Sequence, residues 1–103
     1  MANRLQIEQA INLINAQAKE QITVSDSATG LTSAVYGTCT RAIMQIQEAS
    51  IRFWTTGDNP TTTEGFSLSS GSFLELHGKT ELENFKAIRD DSDDAVLAIS
   101  YFK

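Results

Sequence analysis

The chain has 103 residues, 41% of them hydrophobic, which is enough for one modest core but not for the two domains of a larger enzyme. Eight Lys and Arg residues against thirteen Asp and Glu residues give a formal net charge of −5, which disfavours binding to nucleic acid or to an anionic membrane. No apolar run reaches the length of a spanning helix, and the single cysteine, Cys39, cannot form an internal disulfide. We therefore expect a soluble single domain from a reducing compartment.

The N-terminal segment has the spacing of an amphipathic helix. Ile7, Ile11 and Ile14 recur at intervals of three and four residues, Asn3 is placed to cap the helix, and the polar face is mostly Asn and Gln. This stripe suits a helix that packs on its own domain, an arm that docks on a neighbouring subunit, or an extended arm. We predict a helix or arm over residues 1–19 that binds a partner through Ile7, Ile11 and Ile14.

Residues 20–103 are predicted to form a mainly β domain. Turn residues recur at short intervals, and the runs between them alternate with period two and are rich in β-branched and aromatic residues. Ala95–Phe102 is apolar on both faces, so we expect this strand to be central in its sheet or covered by another subunit. The pattern favours an antiparallel β-sandwich or a jelly-roll-like barrel. The seven predicted strands are 21–25, 42–47, 50–56, 65–68, 72–77, 84–89 and 95–102.

Few residues suggest a catalytic or metal centre. His77 is the single histidine and is predicted at a strand end, while Cys39 lies in a run of small polar residues that suits a loop or strand start. Together they do not supply the several nitrogen and sulfur ligands of a zinc site. Glutamates are present for a glycosidase pair, but the sequence singles out no pair. We predict no enzyme activity, no cofactor and no metal.

The acidic excess lies in the second half of the chain and is densest at Asp90–Asp94. This run lacks the alternating ligands and the distal glutamate of a dedicated calcium loop, although its carboxylates leave a cation site as an alternative. Aspartate is favoured in exposed turns, so we predict a hairpin turn here. If the partner is charged, a basic surface is expected.

The stretch from Phe53 to Gly65 has the most individual pattern in the chain. Arg52 and Trp54 share one face of an aromatic strand, which leads through the turn at Gly57–Pro60 into a run of threonines. Trp54 is expected to pack on its own sheet or at a subunit contact, and stacking on a sugar is the alternative. Arg52 and Trp54 are the candidate surface contacts.

This stretch resembles a group of small tailed-phage virion structural proteins. In that group an aromatic strand leads to a T-x-G-x-x-P-T turn, here Thr55–Thr61, and then to G-[FH]-x-L, here Gly65–Leu68. Leu74–Leu76, Phe85–Arg89 and the closing strand Ala95–Phe102 are similar as well. The similarity covers about residues 20–103.

The resemblance implies a β-sandwich that builds virions, most closely a capsid decoration or cement protein. The implied partners are the major capsid protein or another virion protein and further copies of the chain, with a trimer favoured. The implied location is the virion, assembled in the host cytoplasm, and no catalysis is implied. Two alternatives stay open: a tail or neck adaptor, and a module that binds carbohydrate or a host surface through Trp54, Tyr36 and Tyr101.

Overall fold

The computed structural model describes residues 16–103, which form eight strands and two short helices. The strands are β1 (Ala16–Val24), β2 (Thr29–Gly30), β3 (Arg41–Gln47), β4 (Ile51–Trp54), β5 (Phe66–Leu68), β6 (Phe73–His77), β7 (Lys86–Arg89) and β8 (Ala95–Phe102). The helices are α1 (Ser33–Tyr36) and α2 (Lys79–Asn84). The predicted mainly β, antiparallel fold is confirmed.

The strands form two antiparallel sheets of four strands each. Sheet A has the order β1-β8-β3-β6, and sheet B has the order β2-β7-β4-β5. The closing strand β8 pairs with β1 on one side and with β3 on the other, so the prediction of a central strand is confirmed. In this register Ala98 lies opposite Gln21 of β1 and Gln45 of β3.

The core lies on the inner faces of both sheets. Alternate residues of β3 and β8 are buried, as period-two alternation requires when one face meets the core and the other faces outward. Burying one large aliphatic side chain contributes roughly 1.5–3 kcal/mol, so this cluster is the main stabilising element. Its largest fully buried members are Tyr101, Phe85, Met44, Ile46, Ile51, Leu76, Leu82, Leu97 and Val24.

All seven predicted strands are present, with ends that differ by a few residues. Asn84 belongs to α2 instead of the sixth predicted strand, residues 84–89, and β4 ends at Trp54 because the chain turns away after it. Strand β2 and both helices were not predicted, since elements of two to six residues are too short to show periodicity.

The first strand begins earlier than predicted. Residues 16–19, assigned to the N-terminal helix or arm from the sequence, belong to β1 and pair with the end of β8. The predicted helix therefore does not extend through them, because Ala16, Ala18 and Lys19 pair with β8, with an irregularity between Ala16 and Ala18. The rest of the arm, with Ile7, Ile11 and Ile14, lies outside the described residues.

The segment Asp90–Asp94 is exposed over most of its length, but it is not a hairpin turn. It connects β7 of sheet B to β8 of sheet A, which are not paired with each other. A hairpin and a connection between sheets have the same polar turn composition, so the sequence alone does not separate them. The segment therefore marks one of the places where the chain crosses between the two layers.

Candidate interaction surface

An exposed ring, Phe66, and a half-buried ring, Trp54, meet near the free edge of sheet B. Phe66 of β5 is 59% exposed, and its ring centroid is 5.3 Å from that of Trp54 in an edge-on arrangement at 69°. It also lies 5.6 Å from Phe53, whose ring contacts Phe85 at 5.7 Å. We call Trp54 and Phe66 the aromatic edge. Its inner side is anchored to core rings and its outer side meets solvent.

The loop between β4 and β5 holds Phe66 in this position. The Thr61 hydroxyl accepts the backbone N–H groups of Thr63 and Glu64, and the Thr61 N–H donates to the Glu64 carbonyl at 2.9 Å. Gly65 follows with φ +128°, and a Cβ there would lie 3.2 Å from Cβ of the buried Pro60. The run that carries the phage resemblance is thus an internally bonded loop that delivers the chain to Phe66.

Arg52 lies beside the aromatic edge, and its guanidinium binds within the domain. Its Nε donates to the Asp90 carboxylate at 2.7 Å, and its Nη1 donates to the Gly65 carbonyl at 3.2 Å. The Ser67 hydroxyl donates to the other oxygen of Asp90. These bonds tie β4, β5 and the segment after β7 together. Arg52 therefore positions the edge and is only partly available as a surface contact.

Trp54 is half-buried on the outer face of sheet B, where it pairs in register with Lys86 of β7. The prediction that Arg52 and Trp54 share a face is confirmed. Sequence reasoning missed Phe66, the more exposed of the two rings. The signal that could have found it is the three-residue length of β5, because such a short strand at a sheet edge leaves its large side chains incompletely covered.

The two tyrosines proposed as a stacking platform are buried, so that part of the carbohydrate hypothesis is wrong. Their ring centroids lie 5.7 Å apart inside the domain. The Tyr101 hydroxyl donates to the Glu20 carboxylate, which also accepts the Thr32 N–H at 3.3 Å. Burial, then the bond to Glu20, raises the pKa of Tyr101, while burial and the nearby Glu83 raise the pKa of Tyr36.

His77 and Cys39 occupy different environments. His77 is the last residue of β6, as predicted, and is exposed, with Nε2 3.1 Å from Oε1 of Glu75. Cys39 is buried in the core cluster between α1 and β3. The imidazole thus meets a carboxylate on the surface, and the thiol packs as a small apolar side chain.

Two of the four aspartates in the acidic segment bind neighbouring arginines. Asp90 binds Arg52, and Asp94 accepts from Arg89 at 2.7 Å. Within residues 16–103, no three His, Cys, Asp or Glu side chains are placed to hold a metal ion. Asp91 accepts the backbone N–H of Ser92, as is common for aspartate in turns.

Comparison with protein-family models found no match to this chain, and comparisons with curated proteins and with solved structures found none either. Neither of the helices in residues 16–103 has the length and apolar character needed to cross a membrane.

Proposed function

We propose that this protein is a virion structural protein, a capsid decoration or cement protein that binds the major capsid protein. The observation that carries the proposal is the aromatic edge. Phe66 is exposed on an edge strand, backed by Trp54 and presented by a bonded loop, and that loop carries the sequence resemblance to phage virion proteins.

The aromatic edge has the properties of a protein-binding hot spot. Aromatic residues dominate the energy of protein interfaces, since they offer large rigid surfaces at a low entropy cost. Phe66 and Trp54 are already held by Phe53 and by the Arg52 bonds, so little ordering is needed on binding. The proposed homo-oligomer would place several copies on the repeating capsid lattice at once. The resulting effective concentration would strengthen the overall binding even if each single contact is modest.

The first test is the copy number of the protein in purified particles of the phage that encodes it, measured by quantitative mass spectrometry against the major capsid protein. A ratio near that of the capsid protein is expected for a decoration role. A handful of copies would replace it with a tail or neck adaptor. Absence from the particle would overturn the virion proposal.

The second test compares two equally exposed phenylalanines on opposite sheets. Phe66→Ser removes the exposed ring from the aromatic edge, while Phe73→Ser removes a ring that is 56% exposed on β6 of sheet A. Loss of a hot-spot ring costs about 2 kcal/mol, so Phe66→Ser should weaken binding to particles stripped of the protein by roughly 30-fold. Phe73→Ser should leave binding nearly unchanged. Equal effects of the two variants would contradict the proposed surface.

A carbohydrate-binding module remains the second candidate, now reduced to the half-buried Trp54 and the neighbouring Phe66. It predicts that Trp54 fluorescence changes on titration with glycans, because a sugar stacked on the ring alters its surroundings. A fluorescence response, together with absence from the particle, would favour this function over the virion role.

A further inference from the structure

Strand β6 is an outer strand of sheet A, and its backbone groups alternate between β3 and the free side. The Ile46 N–H donates to the Ser72 carbonyl, and the Gly78 N–H donates to the Thr40 carbonyl. The register of β6 with β3 continues without a shift between these two bonds, which fixes the alternation. The residues whose N–H and C=O groups point to the free side are Phe73, Glu75 and His77.

The free side of β6 is closed at one end. The His77 N–H donates to Oε1 of Glu81 in α2 at 2.7 Å, in agreement with its direction away from β3. Phe73 and Glu75 have no strand beside them on this side among residues 16–103. Their N–H and C=O groups therefore form an open edge, to which another strand can be added.

Strand β5, an outer strand of sheet B, is less open. The Asp90 N–H donates to the Ser50 carbonyl in the register of β7 with β4, which fixes the alternation in that sheet. Within β5, Ser67 alone then directs its N–H and C=O to the free side. The β6 edge therefore offers two successive residues for pairing, and the β5 edge offers one.

The charge of Glu75 does not protect this edge. Natural edge strands are often protected by a charged side chain that disfavours a second strand. The Glu75 carboxylate is instead held on the outer face of sheet A, since its Oε1 lies 3.4 Å from Nη2 of Arg41 and 3.1 Å from Nε2 of His77. The neighbouring Leu74 is half-buried and packs against the core. The edge thus combines open backbone groups with an apolar side chain that is incompletely covered.

We propose that the β6 strands of two copies of this chain pair antiparallel about a twofold axis at Leu74. Phe73 then lies opposite Glu75 of the partner subunit, and the two residues exchange both of their N–H···O bonds. The two Leu74 side chains meet at the axis, where opposite Cα atoms lie roughly 4.5 Å apart, and bury their remaining apolar surface. The interface is self-complementary, as a twofold axis requires, and the two A sheets continue as one sheet.

Other twofold registers are disfavoured by bonds that the chain already makes. A pair centred on Glu75 places two carboxylates opposite each other and needs the His77 N–H, which α2 holds. A pair centred one residue further along β6 needs the same N–H. A pair centred on Phe73 needs the Gly71 N–H, which donates to β3. The register about Leu74 uses the open groups of both Phe73 and Glu75 and requires no group that is already bonded.

This inference does not depend on the proposed function, and a twofold pair differs from the trimer that the phage resemblance implies. The Phe73 ring stays on the outer face of sheet A, because alternation directs it away from the side of Leu74. The Phe73→Ser variant therefore keeps the paired backbone groups. Its binding to particles remains a matched comparison for Phe66→Ser.

Amide hydrogen exchange of the full wild-type chain, followed by NMR, tests the pairing directly. As the protein concentration is raised until nine tenths of the chains are paired, exchange at Phe73 and Glu75 should slow about tenfold, while exchange at Ser67 stays unchanged. Sedimentation equilibrium of the same samples should approach twice the chain mass of 11.3 kDa. A monomeric or trimeric mass, or equal slowing at Ser67, would overturn the proposal. A dimer in which Phe73 and Glu75 exchange as fast as in the monomer would overturn it as well.

A charge swap at Leu74 tests the register. Leu74→Lys and Leu74→Glu each place like charges opposite each other at the axis, so each variant alone should lose at least about tenfold in dimer association. An equal mixture of the two should recover the dimer, because opposite charges then meet. Leu68→Lys changes a leucine of β5 that is also half-buried against the core, and it should leave the dimer mass unchanged.

An equal loss of association in Leu68→Lys, or no recovery in the mixture, would contradict pairing about Leu74. Circular dichroism verifies the fold of each variant. If a variant does not fold, the hydrogen exchange of the wild-type chain decides between pairing and an open edge.

Discussion

Glu20 is an acidic residue on the inward-facing side of β1, where its neighbours Ile22 and Val24 pack into or against the core. It is tolerated there because its carboxylate accepts the Tyr101 hydroxyl and the Thr32 N–H. A buried hydroxyl without an acceptor would cost about 1–3 kcal/mol, so the pair satisfies two groups at once. Glu20 therefore links β1, β8 and the start of α1.

This pair makes stability sensitive to alkaline pH. Burial, followed by the bond to Glu20, raises the pKa of Tyr101 above the ordinary value of 10.0 in the folded chain. The unfolded chain then loses this proton more readily than the folded chain. The contribution of the protonated Tyr101 hydroxyl to the free energy of unfolding is therefore fully present below pH 10 and is lost as the pH rises beyond it. Urea unfolding between pH 8 and 11 should show a steeper loss of stability for the wild-type chain than for Tyr101→Phe. Parallel curves would contradict this assignment.

The bond between Arg52 and Asp90 can be compared with a similar one nearby. Both Arg52–Asp90 and Arg89–Asp94 have N–O distances of 2.7 Å, but the Asp94 side chain is 49% exposed and the Asp90 side chain 22%. Asp90 also accepts from Ser67. Asp90→Asn should therefore lower the free energy of unfolding by about 1–2 kcal/mol and Asp94→Asn by less than about 0.5 kcal/mol. Chemical denaturation measures both, and equal losses would contradict the difference.

At the scale of the element, the loop from β4 to β5 depends on glycine at position 65. Its φ of +128° is rarely adopted by other residues, and an added Cβ would lie 3.2 Å from the Phe53 carbonyl as well as from Pro60. Gly71 in the next turn also has positive φ, at +93°, but has open space around it. Substitution of Gly71 therefore tests backbone strain alone, whereas substitution of Gly65 tests strain together with steric contact.

We expect Gly65→Ala to lower the free energy of unfolding by about 3 kcal/mol, since strain and contact add, and Gly71→Ala by about 1 kcal/mol. Urea denaturation of the two variants measures the difference. Because Gly65 immediately precedes Phe66, the first variant should also weaken binding through the aromatic edge. A Gly65→Ala protein as stable as Gly71→Ala would show that the loop yields around the methyl group.

The sequence predicted the positions of the strands better than it predicted which strands pair with each other. The apolar run Ala95–Phe102 identified β8 and its inner position in the sheet, because strands with apolar residues on both faces are more often inner strands than edge strands. The same local pattern could not show that β7 and β8 belong to different sheets, since a hairpin turn and a connection between sheets have the same polar composition. Pairing is set by contacts between distant residues, which no single run contains.

The candidate surface was predicted only in part, because it too depends on contacts between residues that are distant in the chain. Trp54 and Arg52 were recognised from their shared face, but the inward bonds of Arg52 depend on Asp90, which is 38 residues away. The exposure of Phe66 follows from the position of β5 at the edge of sheet B. The face shared by Phe73, Glu75 and His77 did carry a local signal, because two polar residues on it indicate that Phe73 faces outward.

For the whole molecule, the pairing of β1 with β8 joins the first and last described strands. One of the two inner strands of sheet A is therefore synthesised last, and β1 has no strand partner among residues 16–103 until β8 is present. The loop that must close spans most of the domain, and nonlocal β topologies of this kind fold in milliseconds to seconds. During synthesis, the backbone edge of β3 that pairs with β8 must wait for residues 95–102 to leave the ribosome, so the nascent chain is most exposed to aggregation and chaperones just before it is complete through β8.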